Sequence, residues 1–251
     1  DYVINVTTAA PCPQPSALTV TGVTPTTASL SWTLGCAETT WLVEYGPTGF
    51  TPGTGTVITV GVTNVTIPGL TLGLPYDAYV RADCGIVLGQ SAYGTPVSFT
   101  PNYCTAGGTT GTFERISNVT LGSINNNSTG TTGYENFSAL STCLFLGQSA
   151  PLSIGVASAY ATDDRVYIWI DTDQDGVFAD PAELYFTEAV STFCPTCVGT
   201  ATVITGNINL PGGLPTGNTR MRIRVQDNSS APANTTPCGV SAFGEVEDYT
   251  V

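Results

Sequence analysis

The 251-residue sequence contains no histidine and no lysine, and its six basic residues are all arginine. Without histidine, Ser-His-Asp and Cys-His catalytic systems are excluded within this chain. Nineteen acids against six bases leave a net charge of −13, which repels the phosphates of nucleic acid and an anionic membrane surface alike. Long apolar runs are also missing. No stretch approaches the roughly 18 residues of a membrane-spanning helix, so direct membrane insertion is not expected. No helical period of useful length appears either, which points away from bundles and mixed folds.

What is present suits β-structure. Apolar residues make up 41% of the chain and only 10% are charged, so this is no disordered acidic tail, and each half can bury a core. Glycine (28) and proline (17) are plentiful and threonine is frequent, as expected for short strands joined by turns. The eight cysteines are Cys12, Cys36, Cys84, Cys104, Cys143, Cys194, Cys197 and Cys238. An even, scattered set without histidine favours disulfides and an oxidising compartment. A four-thiolate zinc site needs two close pairs, and only Cys194/Cys197 is close. The chain opens at Asp1 with neither Met nor a signal peptide, as expected of a mature or excised fragment.

Residues 12–100 show strand signals at 17–20, 28–32, 40–45, 57–60, 64–67, 77–82 and 95–99. Seven short strands with turn signals between them predict an immunoglobulin-like sandwich. Trp32 on the second strand has the placement of a core tryptophan, and Tyr76, after the Leu-Thr-Leu-Gly-Leu-Pro turn, that of a corner tyrosine. This segment resembles the fibronectin type III family. Tyr45-Gly46-Pro47-Thr48-Gly49-Phe50-Thr51-Pro52-Gly53-Thr54-Gly55 and Val80-Arg81-Ala82-Asp83-Cys84-Gly85 look like its bacterial secreted branch. In the topology this resemblance implies, Cys12, Cys36 and Cys84 lie at one pole, and a Cys12–Cys84 bridge is expected, with Cys36 left near a neighbour.

Residues 101–251 carry strand candidates at 113–121, 152–159, 165–170, 183–186, 201–210, 220–225 and 245–251, a second sandwich of jelly-roll type. Arg165-Val166-Tyr167-Ile168-Trp169-Ile170 is apolar on both faces and reads as a central strand, whereas 125–130 reads as a polar loop. The chain begins Asp1-Tyr2-Val3 and ends Asp248-Tyr249-Thr250-Val251. Residues 1–11 are therefore read as a linker or as the closing strand of a preceding copy in a tandem array.

Two motifs carry chemistry. In Asp171-Thr172-Asp173-Gln174-Asp175-Gly176-Val177, acids at alternate positions precede a glycine that permits a tight turn. A hard cation with six to eight oxygen ligands draws such carboxylates to one point. Asp171, Asp173 and Asp175, the Val177 carbonyl and Glu183 are the expected ligands of Ca2+. With Glu183 at position 13 and no flanking helix, this is a loop between strands and not an EF-hand. The second motif is a charge ladder. Arg220, Arg222 and Arg224 alternate with apolar residues, as Glu245, Glu247 and Tyr249 alternate on a later strand. Cross-strand pairing of these arginines with Glu245 and Glu247 is the expected outcome, and capture of a carboxylated or sulfated glycan is the alternative.

The tail Gly244-Glu245-Val246-Glu247-Asp248-Tyr249-Thr250-Val251 resembles the signature of the GEVED domain, a module of secreted surface proteins in gliding and related Gram-negative bacteria. Tyr103-Cys104-Thr105, Trp169-Ile170-Asp171 with Gln174-Asp175-Gly176, Thr219-Arg220-Met221-Arg222 and Pro237-Cys238-Gly239 extend the likeness over 101–251. The resemblance implies a β-sandwich found beside fibronectin-like domains in adhesins and secreted enzymes, typically exported by type 9 secretion. It also implies a Cys104–Cys238 bridge, with Cys194 joined to Cys197 or Cys143. The expected function is a non-catalytic structural or adhesive repeat of an extracellular bacterial surface protein, stiffened by calcium and disulfides. Its partners would be neighbouring repeats and surface polysaccharide or protein. The alternative is an ancillary glycan- or protein-binding module of a secreted enzyme, with Tyr79 and Tyr93 as a sugar platform.

Overall fold

Period-two alternation builds both halves of the computed structural model, which describes residues 12–109, 113–129, 132–229 and 235–251. The chain divides into two units, Asp1–Tyr103 and Cys104–Val251. The Asp1-Tyr2-Val3 segment lies outside the described residues.

Among its described residues the first unit has seven strands: β1 (Ser16–Val23), β2 (Ala28–Thr33), β3 (Trp41–Pro47), β4 (Thr56–Val60), β5 (Asn64–Ile67), β6 (Tyr76–Ala82) and β7 (Val97–Phe99). They form an antiparallel sheet β1-β2-β5 and a second sheet β4-β3-β6-β7, the immunoglobulin-like sandwich expected from the strand spacing. Ala28, Leu30 and Trp32 alternate inward from β2 and meet Val43, Ala78 and Val80 of the other sheet. Trp32 and Trp41 pack edge to face with ring centroids 6.2 Å apart. The Tyr76 hydroxyl accepts the Thr71 amide at 3.1 Å, closing the corner before β6 begins. Cys12 is bonded to Cys84, and Cys36 is exposed and unpaired.

The second unit has eleven strands among its described residues. They are β8 (Ala106–Gly108), β9 (Arg115–Leu121), β10 (Ile124–Asn127), β11 (Tyr134–Ser141), β12 (Ser149–Tyr160), β13 (Asp164–Ile170), β14 (Leu184–Ala189), β15 (Val198–Asn209), β16 (Arg220–Asp227), β17 (Gly239–Ser241) and β18 (Glu245–Thr250). One sheet runs β10-β9-β12-β15, the other β11-β18-β16-β13-β14, and β17 pairs with β8 as a separate ribbon. A single core joins Ile116, Val119, Ile154 and Ile204 of the first sheet to Val166, Ile168, Ile223 and Val225 of the second.

Four of these strands, β8, β10, β11 and β17, were not legible as apolar alternation. Residues 125–130 read as a polar loop, yet the first three of them belong to β10, which pairs with β9 from Ile124↔Leu121 to Asn127↔Asn118. Its edge is held by side-chain amides: Asn118 Nδ2 donates to Asn125 Oδ1 at 3.1 Å and Asn127 Oδ1 at 3.0 Å. A polar strand stabilised this way carries no hydrophobic period. No helix among the described residues is long and apolar enough to cross a membrane.

Candidate metal centre

β13 and β14 are antiparallel neighbours, and residues 171–183 form the loop between them. The loop is pinned at both ends. Ile170 N–H donates to the Glu183 carbonyl at 3.1 Å, and Asp171 N–H to the Arg220 carbonyl at 3.1 Å. Asp171 is 1% exposed, whereas Asp173 and Asp175 are exposed. Gln174 (φ 61°) and Gly176 (φ 85°) adopt left-handed backbone, which lets the chain wind tightly enough to return Gly176 N–H to Asp171 Oδ2 at 3.0 Å. Asp173 and Asp175 each close a local turn, accepting the amides of Asp175 (3.2 Å) and Val177 (2.7 Å). One carboxylate oxygen from each of Asp171, Asp173 and Asp175 then lies within 4.8 Å of the others. Oxygens of a calcium shell at 2.3–2.6 Å from the ion fall within about 5 Å of one another, so the three fit.

Glu183, expected to close the shell, is not brought into that cluster. Its Oε1 accepts the Thr172 amide at 2.5 Å and the Thr172 hydroxyl at 3.1 Å, and its Oε2 accepts the Ala179 amide at 2.8 Å. Position 13 places this carboxylate inside the turn, where it holds the backbone amides that point inward. The described contacts of Val177 are its amide on Asp175 and a half-exposed side chain.

The charge ladder resolves differently from expectation. Arg222 Nε donates to Asp248 Oδ1 at 2.7 Å and Arg222 Nη2 to Asp248 Oδ2 at 2.8 Å, while Arg220 reaches Asp248 Oδ2 at 3.0 Å. Neither Glu245 nor Glu247 pairs with an arginine among the described residues. The reason is parity. Register places Arg222 opposite Asp248, but Ile223 opposite Glu247 and Val225 opposite Glu245. The two glutamates, with Tyr249, therefore lie on the inner face with the core residues of β16.

The outer face is covered in turn. Arg222 Nη1 donates to the carbonyls of Cys104 (2.9 Å) and Pro237 (2.8 Å), and Arg224 Nη2 to that of Gly239 (2.8 Å). Arg224 is fully buried, and burial, helped by the neighbouring Arg222, brings its guanidinium down to about 10. Gly239 opens β17, Cys104 and Pro237 lie just ahead of β8 and β17, and the Cys104–Cys238 bridge staples these two lead-in segments together. Phe178, from the aspartate loop, lies over Arg222 with 5.0 Å from guanidinium carbon to ring centroid. The loop and the arginine layer are thus packed as one body. Cys194 is joined to Cys197, leaving Cys143 exposed and unpaired.

Two features escaped the sequence reading: Asp248 as the arginine partner, and a cluster of Glu135, Glu245 and Glu247. The alternation of Gly244-Glu245-Val246-Glu247-Asp248-Tyr249 separates Asp248 from the glutamates, and that was the available signal. Burial pushes Glu245 up to about 8, helped by Glu247, and pushes Glu247 up to about 7. In the first unit, Tyr79 and Tyr93 meet edge to face at 5.8 Å and Phe50 meets Tyr79 at 5.5 Å. Arg81 covers the Tyr93 ring at 4.5 Å, and the Tyr93 hydroxyl donates to the buried Glu44.

No curated protein matches the chain. Among solved structures, the fn3 domain of human collagen alpha-1(XX) chain is 27% identical, covering 38% of this chain and 89% of that one, with a TM-score of 0.32. A structure described as that of a myokine is 20% identical over 37% of this chain and all of that one (TM-score 0.30). A computer-based redesign of a β-sandwich protein is 24% identical over 35% and 92% (TM-score 0.30). Within the second unit, the GEVED domain model matches residues 165–251, the stretch that contains the aspartate loop, the arginine strand and the closing strand β18.

Proposed function

We propose that this chain is a non-catalytic structural module of a large extracellular bacterial surface protein, in which calcium and disulfides stiffen two consecutive β-sandwiches. The observation that carries this reading is the convergence of Asp171, Asp173 and Asp175 on a loop that packs, through Phe178, against the arginine layer. A cation there would neutralise three close carboxylates and tie β13 to β14. Three disulfides add cross-links of the kind that persist outside the cell. The GEVED match supports a surface-protein setting, and neighbouring repeats are the first partners to seek.

The test is thermal unfolding of the oxidised chain in calcium and in excess EGTA. Calcium is expected to raise Tm saturably by several degrees, and Asp173→Ala or Asp175→Ala to abolish the rise. An unchanged Tm would reduce the loop to an acidic turn.

The second reading, an ancillary glycan-binding module, draws on the Phe50–Tyr79–Tyr93 strip. Its rings are half-buried and packed against one another, which favours a role in packing. Specific micromolar binding on a glycan array, lost in Tyr79→Ala, would reverse that preference.

A further inference from the structure

Three carboxylates also meet inside the second sandwich, away from the aspartate loop in sequence and in strand order. Glu245 and Glu247 project from β18 to its inner face and are 0% exposed. Glu135, half-buried, stands on the edge strand β11, whose parallel register sets it beside Glu247. One carboxylate oxygen from each lies within 4.8 Å of the others.

The surroundings satisfy only half of this charge. Glu245 Oε2 accepts the Ile116 amide at 2.8 Å, and Glu247 Oε2 accepts the Tyr249 hydroxyl at 2.7 Å. The other oxygen of each, Oε1, is buried without a hydrogen-bond partner. The Ser128 hydroxyl, close enough to Glu247 to lower its carboxyl against the effect of burial, is turned to the Ile116 carbonyl at 2.7 Å, and Asn126 Nδ2 holds the Tyr249 hydroxyl at 2.9 Å. Arg115 is the neighbouring cation, yet no salt bridge reaches the three glutamates among the described residues. Phe137 stacks on Tyr249 with ring centroids 5.6 Å apart, walling one side.

Two bare carboxylate oxygens in a core are costly unless something positive meets them. The donors are all oxygen, which selects a hard cation over zinc or copper. Ligands on one calcium at 2.3–2.6 Å are at most about 5 Å apart, and those on magnesium about 4 Å. Oxygens within 4.8 Å of one another can therefore share one calcium ion, and the comparison with magnesium belongs to the titration.

We infer that Glu135, Glu245 and Glu247 form a second, buried divalent-cation site of calcium type, which ties the edge strand β11 to β18 from inside the sandwich. The GEVED motif would then divide its acids by face: Asp248 outward to the arginines, Glu245 and Glu247 inward to the ion. This site stands independently of the aspartate loop.

The test is calorimetric titration of calcium chloride into the metal-stripped, fully oxidised chain, with magnesium and manganese as comparisons. The wild-type chain is expected to take up two equivalents, Asp173→Ala/Asp175→Ala one, and that variant with Glu245→Gln/Glu247→Gln added none. Glutamine keeps the shape and removes the charge, so the glutamine variant is expected to fold and to melt in EGTA no lower than its parent. Should the double replacement fail to fold, Glu135→Gln alone is expected to weaken the remaining equivalent at least tenfold. The inference is overturned if the aspartate-loop variant binds none of the three metals, or if its remaining equivalent survives the glutamine replacements. If Asp173→Ala/Asp175→Ala leaves two equivalents, the loop reading fails and this one does not.

Discussion

At the scale of the residue, Asp248 is the most exacting position in the second unit. It is fully buried and receives two arginines, one of them through both Nε and Nη2. It also accepts the Tyr134 hydroxyl at 3.0 Å. A bidentate guanidinium–carboxylate pair holds its geometry well, and removing one member leaves a buried charge uncompensated. Asp248→Asn is expected to cost roughly 3–5 kcal/mol, read as a lowered urea midpoint with an unchanged slope. Glu247→Gln, one residue away, is expected to cost little in EGTA because Glu247 partners no arginine among the described residues. The ladder as first read from the sequence would reverse that order. Gly244 has a different duty. Its φ is 104°, and a Cβ there would lie 2.2 Å from the Val225 carbonyl. Glycine is what allows β18 to enter so close to β16.

At the scale of the element, the short β8–β17 ribbon does more than its six residues suggest. It has three parallel pairs, from Gly239↔Ala106 to Ser241↔Gly108, too few to persist alone. The Gly239 carbonyl nonetheless accepts the buried guanidinium of Arg224, and the Cys104 and Pro237 carbonyls, just ahead of the two strands, accept that of Arg222. The Cys104–Cys238 bridge spans 134 residues of sequence, and closing so long a loop restricts the unfolded chain strongly. Cys104→Ser/Cys238→Ser is expected to lower stability by roughly 2–5 kcal/mol. Limited proteolysis should then cut near the ribbon before the sheets open. Cleavage elsewhere first would show that the arginine contacts hold the ribbon without the bridge. The aspartate loop is bound into the same layer through Phe178, so the two elements should loosen together.

At the scale of the whole molecule, a chain with 19 acids and six bases buries several carboxylates where no arginine meets them. Asp164 is the clearest case. It is 2% exposed and sits opposite Asp227 in register, and its Oδ2 accepts the Tyr160 amide at 2.6 Å. Burial pushes it up to about 7, and Glu114, Asp227 and Asp163 add repulsion against the lowering effect of that amide. In the unfolded chain an aspartate titrates near about 3.9. Between these values the folded state holds a proton that the unfolded state has lost, so stability falls as pH rises through the window. Asp164→Asn is expected to match wild type near pH 4 and to exceed it by several degrees of Tm at pH 8. Parallel melting curves at both pH values would refute this. The direction opposes ordinary acid denaturation, in which stability rises with pH as paired carboxylates ionise.

Alternation, turn residues and cysteine number, all local properties, were enough to specify two β-sandwiches, the seven strands of the first and the central strand β13 of the second. Trp32, Tyr76 and the aspartate triplet were legible for the same reason: each works through its immediate neighbours along the chain. What tertiary structure decided was parity and partnership. Asp248 and Glu247 are adjacent in sequence, and only the register of β18 against β16 sends one outward to Arg222 and the other into the core. Glu135 joins Glu247 only because β11 pairs in parallel with β18 across more than a hundred residues. β10 and the β8–β17 ribbon escaped because side-chain amides and backbone carbonyls, not apolar stripes, hold them. A one-residue step in a strand exchanges its faces, and which face meets the core is determined by the strand alongside.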